Sequence, residues 1–238
     1  MLFDLGGTLV DERDFDGWCE VARRFLLDLD PDALTHAFFE VEAEFDAGPP
    51  PSDRTVGPVE FWRRVLGRAA AREVSTDLSA KFCEAVRSTD RPIGLFSDTR
   101  RCLDRLASEH RQLGVISNST SEARVRQILD RVGILDYFSR VVSSGTEGVS
   151  KPDPEIFRRA LSRMHLLPEE ALYVGNLRHT DAEAARAVGL HALWLNRYGF
   201  GYEEDPPEIT SLLEVPLWVQ WIERGEKGPR AEEPRDRS

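Results

Sequence analysis

Lysine, cysteine and long apolar runs are all scarce in this sequence of 238 residues. Only three of its 31 basic residues are lysine, at positions 81, 151 and 227. No apolar run approaches the roughly 18 residues that a membrane span needs. The formal net charge is -11, and no cluster of basic residues stands out in the sequence. We therefore expect no membrane partner and no nucleic-acid partner. Because no charged segment precedes an apolar stretch at the N-terminus, we expect a cytoplasmic protein.

The three cysteines, Cys19, Cys83 and Cys102, are too far apart for a metal-binding or disulfide pattern. Each lies in a stretch with helical periodicity, so we interpret all three as buried small apolar side chains. With 41% hydrophobic residues, the chain is long enough for one domain with an insertion or for two small domains.

Asp4 follows an apolar run and leads into a Gly-Gly turn and the hydroxyl of Thr8. Ligands of α/β proteins bind beyond the carboxyl ends of parallel strands, which is where this pattern puts the carboxylate. Two interpretations are open from this segment alone. Asp4 is a nucleophile or metal ligand, or it caps an ordinary strand-to-loop turn.

Between Phe15 and Arg87 the apolar residues recur every three or four positions, which predicts four amphipathic helices in a bundle. We assign the first helix to Trp18–Leu26 and expect it to end near Asp30-Pro31. The larger aromatic residues are expected in its core; they are Trp18, Phe38, Phe45 and Trp62.

From Arg91 onward, short apolar segments alternate with helical patterns, which predicts repeated βαβ units and a parallel sheet. The predicted strands are Leu113–Ile116, one near Val141-Val142, Ala171–Val174 and His191–Leu195. The first strand, which ends at Asp4, belongs to the same sheet. The prediction is an α/β, Rossmann-like core over residues 1–13 and 91–224, a helical domain over 14–90, and a disordered tail over 225–238.

Four segments at predicted strand ends resemble the four motifs of the haloacid dehalogenase-like superfamily. They are Asp4-Leu-Gly-Gly-Thr8, Val115-Ile-Ser117-Asn118, Ser150-Lys151-Pro-Asp-Pro154, and Val174-Gly175-Asn176 with Asp181. The resemblance covers about residues 1–200. It implies a Rossmann-like core, a helical cap inserted after the first motif, and Mg²⁺-dependent phosphoryl transfer from a small phosphorylated substrate to water through an aspartyl intermediate.

The resemblance also implies a role for each matched residue. Asp4 is the nucleophile, and Lys151 neutralises the nucleophile and the transferring group. Thr8, Ser117 and Asn118 bind the phosphoryl group, and Mg²⁺ takes oxygens from Asp4, the Gly6 carbonyl, Asn176 and Asp181. Simpler interpretations are a helix cap for Ser117 or Asp181 and a surface position for Lys151. The rarity of lysine in this chain favours a functional Lys151.

Two positions depart from the family pattern. Gly6 stands where a second aspartate usually protonates the leaving group, and Asn176 stands where the fourth motif usually has an acid. We expect weakened Mg²⁺ binding and the loss of about 10²- to 10⁴-fold of acid-base catalysis, least harmful for acyl and aryl phosphates. Candidate replacements for the missing acid are His179, Asp11 and Glu12.

Other functions compete with the phosphatase interpretation. One is a degenerate member that binds a phosphorylated ligand or protein partner without turnover. The others are a phosphonate-cleaving enzyme, whose cap lysine would be Lys81, and a metal-free dehalogenase. Arg54, Arg63 and Arg64 are substrate contacts or a solvated helix face, and Trp218 with Trp221 pack on the core or form a dimer patch. The oligomeric state is not predicted.

Overall fold

A computed structural model of the chain describes residues 1–47, 56–89, 93–199 and 207–226. The chain divides into two compact units, one of Met1–Asp11 with Ile93–Ser238 and one of Glu12–Pro92. Arg54 and residues 227–238 of the predicted tail lie outside the described residues. The role of the helical unit as a cap stays a prediction.

The first unit is built on a parallel sheet. The described strands of the chain are β1 (Leu2–Phe3), β2 (Val10–Asp11), β3 (Gly94–Leu95), β4 (Leu113–Ser117), β5 (Phe138–Ser143), β6 (Leu172–Gly175), β7 (His191–Leu195) and β8 (Glu208–Ile209). Six of them form one sheet in the order β5-β4-β1-β6-β7-β8, and every neighbouring pair is parallel. The predicted α/β class with a parallel sheet is confirmed.

Helices surround this sheet and form the second unit. The described α-helices are α1 (Phe15–Arg23), α2 (Pro31–Ala47), α3 (Val56–Ala69), α4 (Thr76–Ser88), α5 (Thr99–Ser108), α6 (Glu122–Arg131), α7 (Ser144–Glu147), α8 (Pro154–Met164), α9 (Ala184–Ala187) and α10 (Val215–Glu223). Helices α1 to α4 belong to the second unit and the others to the first.

The sheet separates two hydrophobic cores because successive side chains of a strand point to opposite faces. On β1, Phe3 packs in the core that also contains Val115 and Val174, whereas Leu2 packs in the core of Ile116 and Tyr173. Central strands covered on both faces are uniformly apolar, as their sequences predicted. Trp218 is buried in the first of these cores and Trp221 packs against it, which favours the core interpretation of this pair.

The second unit has an aromatic core. Trp18 packs edge-on against Trp62, with 5.0 Å between ring centroids, and Phe38 packs against Phe61 at 5.2 Å. Trp18, Phe38 and Trp62 are buried as predicted, whereas Phe45 is partly exposed and contacts Phe61. All three cysteines of the chain are free and buried.

The first predicted helix was too long. Helix α1 ends at Arg23, and Leu26 has a φ of 59° and is 89% exposed. A leucine in the left-handed region terminates the helix, because that conformation cannot continue a right-handed one. Because Leu26 is apolar and fits the helical spacing, the sequence pattern extended the predicted helix too far.

Three elements of the first unit were not predicted. Strands β2 and β3 form an antiparallel pair, in which Val10 lies opposite Leu95, and β8 extends the main sheet beyond β7. A π-helix over Arg178–Glu183 lies between β6 and α9. Two-residue strands are too short to give a periodic signal.

Candidate active site

The candidate site lies where three neighbouring strands end. Asp4 directly follows β1, Ser117 is the last residue of β4, and Gly175 is the last residue of β6. Because β1 lies between β4 and β6 in the sheet, these three ends are adjacent. The Asp4 backbone N–H donates to the Val174 carbonyl at 2.9 Å, which fixes the nucleophile candidate against β6.

The Lys151 ammonium connects the acidic groups of the site. Its Nζ donates to Asp4 Oδ1 at 2.7 Å, to Asp181 Oδ1 at 2.6 Å and to the Tyr173 hydroxyl at 3.0 Å. An ammonium has three N–H donors, so this set accounts for all of them. Lys151 is only 5% exposed, which rules out the interpretation of a solvated surface lysine.

Asp181 is fully buried and held by several donors. The Tyr173 hydroxyl donates to its Oδ1 at 2.9 Å, and the Leu177 backbone N–H donates to its Oδ2 at 3.0 Å. A Cβ atom at Gly175 would overlap Cβ and Cγ of Asp181. Glycine at the end of β6 is therefore what allows this carboxylate to approach the strand so closely.

Burial sets the protonation of these groups. Desolvation raises the pKa of Asp4 to about 6, opposed by the attraction of Lys151 and supported by the repulsion of Asp181. Burial alone would lower the pKa of Lys151, but the facing carboxylates of Asp181 and Asp4 outweigh it and raise that pKa. With both carboxylates ionised and Lys151 protonated, the group carries one net negative charge.

The remaining predicted residues lie in the same part of the sheet. Thr8 is fully buried and Ser117 is 8% exposed. Asn118 uses both ends of its amide on the backbone of Lys151: Nδ2 donates to the Lys151 carbonyl at 3.0 Å, and Oδ1 accepts from the Lys151 N–H at 2.9 Å. Asn118 therefore positions the turn that carries Lys151.

Asn176 faces Asp4 and Gly6, and its amide can take two orientations. With Oδ1 toward them, Thr8 Oγ1 donates to Oδ1 at 3.3 Å. With the amide turned, Nδ2 occupies that position and donates to the Gly6 carbonyl at 3.1 Å and to Asp4 Oδ2 at 3.3 Å. The turned orientation satisfies the hydrogen bonds, whereas the first one brings three oxygen atoms together.

Whether the residues fit Mg²⁺ depends on how the oxygens of Asn176, Gly6 and Asp4 come together. A carboxylate, a backbone carbonyl and an amide oxygen are hard oxygen donors of the kind that Mg²⁺ prefers. They fit the ion when Asn176 presents its oxygen, but Asp4 supplies the only charge among the three. No group of three His, Cys, Asp or Glu side chains suitable for a metal occurs within the described ranges. Both oxygens of Asp181 already accept hydrogen bonds.

Sequence analysis missed Tyr173 at this site. Its ring is fully buried and packs edge-on against Phe157, with 5.1 Å between centroids. Burial first, and then the charges of Asp181 and Asp4, raise the pKa of its hydroxyl well above the ordinary value, so it is a neutral donor. A tyrosine inside an otherwise apolar central strand was the available signal, because a buried hydroxyl needs a partner.

Sequence analysis also missed Arg197, which supports the first motif from behind. Its guanidinium donates to the Thr8 carbonyl at 2.8 Å and pairs with both carboxylate oxygens of Asp98, at 2.8 and 2.9 Å. Asp98 stands at the N-cap position of α5, but its carboxylate does not cap the helix, because Arg197, Ser211 and the Leu212 N–H occupy it.

Other candidate residues have local partners. His179, a proposed replacement for the missing acid, has Nδ1 3.1 Å from the Glu183 carboxylate. In the helical unit, Arg63 and Arg64 both pair with Glu60, and Lys81 pairs with Asp77 at 2.7 Å. These pairs favour the solvated-face interpretation of the two arginines.

Comparison with known proteins is consistent with the site. A model of the haloacid dehalogenase-like hydrolases matches residues 1–189. The chain is 37% identical to glyceraldehyde 3-phosphate phosphatase of Pyrococcus furiosus, over 52% of this chain and 53% of that protein. It is 36% identical to phosphoserine phosphatase of Thermus thermophilus, over 43% of this chain and 40% of that protein. The chain thus spans about half the length of the curated relatives it matches, or less.

A solved structure shows the same fold. The 2-haloacid dehalogenase of Pseudomonas syringae pv. Tomato is 24% identical, with a TM-score of 0.55, and the match covers 92% of this chain and 97% of that one. Across the part of the chain that the structure describes, no helix is both long enough and apolar enough to cross a membrane.

Proposed function

Because the chain belongs to the haloacid dehalogenase-like hydrolases, we propose that it is a phosphatase acting on a small phosphorylated metabolite through a covalent intermediate at Asp4. The observation that carries the proposal is the buried Asp4 carboxylate at the end of β1, 2.7 Å from the Lys151 ammonium. The names of two relatives, both phosphatases of small phosphorylated metabolites, support the substrate class.

In the first step an Asp4 oxygen attacks phosphorus, and the bond from phosphorus to the leaving oxygen breaks. The products are an aspartyl-phosphate and the oxyanion of the leaving group, because no acid stands at position 6 to protonate it. In the second step water attacks the same phosphorus, inorganic phosphate leaves, and the Asp4 carboxylate is restored. Splitting the displacement in two requires one buried carboxylate that stays in place through both steps.

Lys151 holds Asp4 by one N–H and Asp181 by another, so it fixes the orientation of the nucleophile and offsets its charge. In this proposal Thr8 and Ser117 bind the phosphoryl oxygens. Asn118 contributes by holding the Lys151 backbone, which is a positioning role.

Mg²⁺ is the cofactor that the family implies. The ion would be held by Asp4, the Gly6 carbonyl and the Asn176 amide oxygen. Asp181 lies close to these donors, because the Lys151 ammonium pairs with both Asp4 and Asp181. When bound, the cation supplies charge that offsets the phosphoryl oxygens next to a site of net negative charge. We propose weak binding because a single carboxylate among three donors provides little charge.

Gly6 has no side chain to protonate a leaving group. Turnover should therefore be fastest with acyl and aryl phosphates, whose leaving groups depart without a proton. A cytoplasmic location and the absence of a nucleic-acid partner stay predictions of the sequence.

The test is hydrolysis of acetyl phosphate and p-nitrophenyl phosphate by the wild type, Asp4→Asn and Gly6→Asp, with Mg²⁺ and with a chelator. We expect Asp4→Asn to abolish turnover, because an amide is a poor nucleophile. Gly6→Asp should speed turnover, because it supplies the missing acid-base group. Asp130→Asn, a matched change on the exposed face of α6, should leave the rate unchanged. Equal rates in wild type and Asp4→Asn would reject the mechanism.

The absent acid at position 6 also favours a second candidate, a member that binds a phosphorylated ligand without turnover. Isothermal titration with inorganic phosphate separates the two. Binding to the wild type with no turnover of either substrate, and none gained by Gly6→Asp, would support the binding role.

A dehalogenase-type hydrolysis is the third candidate, and its one support is the fold shared with a dehalogenase. Release of chloride from monochloroacetate, blocked by Asp4→Asn and indifferent to chelator, would support it over phosphoryl transfer.

A further inference from the structure

The Asn176 side chain terminates among three oxygen atoms. Its end that faces the first motif lies 3.1 Å from the Gly6 carbonyl oxygen, 3.3 Å from Asp4 Oδ2 and 3.3 Å from Thr8 Oγ1. Two of these oxygens, the carbonyl and the carboxylate, have no proton to give. An amide oxygen at this position would repel both of them, whereas an amide nitrogen donates to both.

Burial makes the difference large. Asp4 is 7% exposed, and its Oδ1 already accepts from Lys151, so Oδ2 is the oxygen that lacks another charged partner. A buried acceptor without a donor is costly, and the cost is greatest for a charged one. The Leu5 backbone N–H also donates to the Asp4 carboxylate. The two hydrogen bonds from Nδ2 add donors at Asp4 and at Gly6, where an amide oxygen would add repulsion.

We propose that the Asn176 amide group takes the place of the divalent cation when no cation is bound, and that it must rotate before a cation can enter. With Nδ2 inward, a neutral amide donates hydrogen bonds to the Gly6 carbonyl and to the Asp4 carboxylate and fills the position between them. With Oδ1 inward the Asp4, Gly6 and Asn176 oxygens converge as ligands. Exchange of the two ends is a half-turn of the amide about its last side-chain bond, which leaves the shape of the side chain unchanged.

The inference extends the proposed function to the way in which this site handles its cofactor, but its test needs no turnover. The test compares Mn²⁺ binding, measured by the electron paramagnetic resonance signal of the free ion, in the wild type and in Asn176→Asp. The same two proteins are melted with chelator and with saturating Mg²⁺. Gln127→Glu makes the same amide-to-carboxylate change on the exposed face of α6 and serves as the control.

We expect Asn176→Asp to bind Mn²⁺ about tenfold more tightly or better, because a second carboxylate joins the donor set. With chelator it should melt below the wild type, since the introduced carboxylate would face the Asp4 carboxylate with no proton between them. Mg²⁺ should restore its melting temperature. Mg²⁺ should raise the melting temperatures of the wild type and of Gln127→Glu equally, and by much less than it raises that of Asn176→Asp.

Two results would overturn the inference. One is a wild type that binds Mn²⁺ as tightly as Asn176→Asp, and the other is a wild type whose melting temperature falls with chelator by as much as that of Asn176→Asp. If Asn176→Asp does not fold, the wild type decides alone through the nuclear magnetic resonance signals of its Asn176 side-chain NH₂ group. Those signals should be those of a hydrogen-bonded amide without cation and should change on titration with Mg²⁺; no change in the presence of bound cation would also overturn it. None of these results depends on hydrolysis, so failure here is distinct from failure of the proposed phosphatase activity.

Discussion

All three N–H groups of the Lys151 ammonium are engaged inside the protein, with Asp4, Asp181 and Tyr173. An entering phosphoryl group therefore meets a lysine that is already coordinated. In the proposed mechanism Lys151 therefore acts on the transferring group mainly through its charge. The scarcity of lysine in the sequence pointed to this residue, but its three partners could not be inferred from spacing, because two of them come from distant parts of the chain.

The protonation of Asp4 predicts a pH dependence. A nucleophilic carboxylate must be ionised, and burial raises the pKa of Asp4 to about 6. We expect kcat/KM for p-nitrophenyl phosphate to fall as the pH is lowered through about 6, and to be level above it, since the pKa of Lys151 is raised. The measurement is a pH–rate profile of the wild type.

The contribution of Asp4 to stability changes with pH in the opposite direction to kcat/KM. Its folded pKa is raised above the unfolded value of 3.8, so the folded state binds more protons between about pH 4 and 6. This stabilising contribution is present at low pH and is lost as the pH rises through about 6. A rate profile that is flat down to pH 4.5 would show that Asp4 is ionised more readily than its burial implies.

At the scale of elements, the junction of β6 with the π-helix over Arg178–Glu183 brings Asp181 into the site. An Ala side chain at position 175 would overlap Asp181. We expect Gly175→Ala to displace the carboxylate, break its pair with Lys151 and lower the free energy of unfolding by about 1–3 kcal/mol. Urea unfolding and kcat/KM for p-nitrophenyl phosphate are the measurements.

Gly94→Ala is the matched control for that substitution. A Cβ at Gly94 meets nothing within 4 Å, and its backbone is not in the left-handed region. Its unfolding free energy should stay within about 0.5 kcal/mol of the wild type. Equal behaviour of the two alanine variants would mean that the close approach at Gly175 is not required.

The elements that sequence predicted well are those with strong apolar periods. Strand His191–Leu195 has the predicted bounds, and β4 differs from the prediction by one residue. The π-helix was not predictable, because one turn of this rare helix type leaves no distinctive period in the sequence. A carboxylate near a helix start reads as a cap in sequence, and the alternative depends on contacts that only the fold supplies.

At the scale of the whole α/β unit, Asp98 and Arg197 join three segments distant in sequence. Arg197 reaches the first-motif loop through the Thr8 carbonyl, and Asp98 accepts from Ser211 and the Leu212 N–H ahead of α10. The guanidinium also lies over the Phe96 ring, 4.0 Å from its centroid. Sequence could not pair these residues, because nothing in the spacing of 98, 197 and 211 is periodic.

Removal of one partner should be costly. We expect Arg197→Ala to lower the free energy of unfolding by about 3–5 kcal/mol, because the buried Asp98 carboxylate would lose its counter-charge. Lys81→Ala, which breaks an exposed pair with Asp77, should cost less than about 1 kcal/mol. Urea unfolding at neutral pH measures both, and equal costs would contradict the role assigned to Arg197.

The pH dependence of this pair is checked by repeating the urea unfolding in acid. Burial raises the pKa of Asp98, but the hydrogen bonds from Arg197, Ser211 and the Leu212 N–H outweigh it and hold that pKa below its usual range. The stability that Asp98 contributes is present above its unfolded pKa and is lost as the pH falls through the folded one. The difference between wild type and Arg197→Ala should therefore shrink in acid.

Strands β2 and β3 are minor elements of the fold, yet they place the two points at which the chain leaves and re-enters the α/β unit side by side, with Asp11 opposite Gly94. Everything between those two residues is one continuous segment of the sequence. That segment can therefore be lengthened, shortened or exchanged during evolution without shifting the register of the main sheet, because its two ends stay next to each other. The helical segment and the strand ends that carry Asp4, Ser117 and Gly175 are thereby free to diverge at different rates.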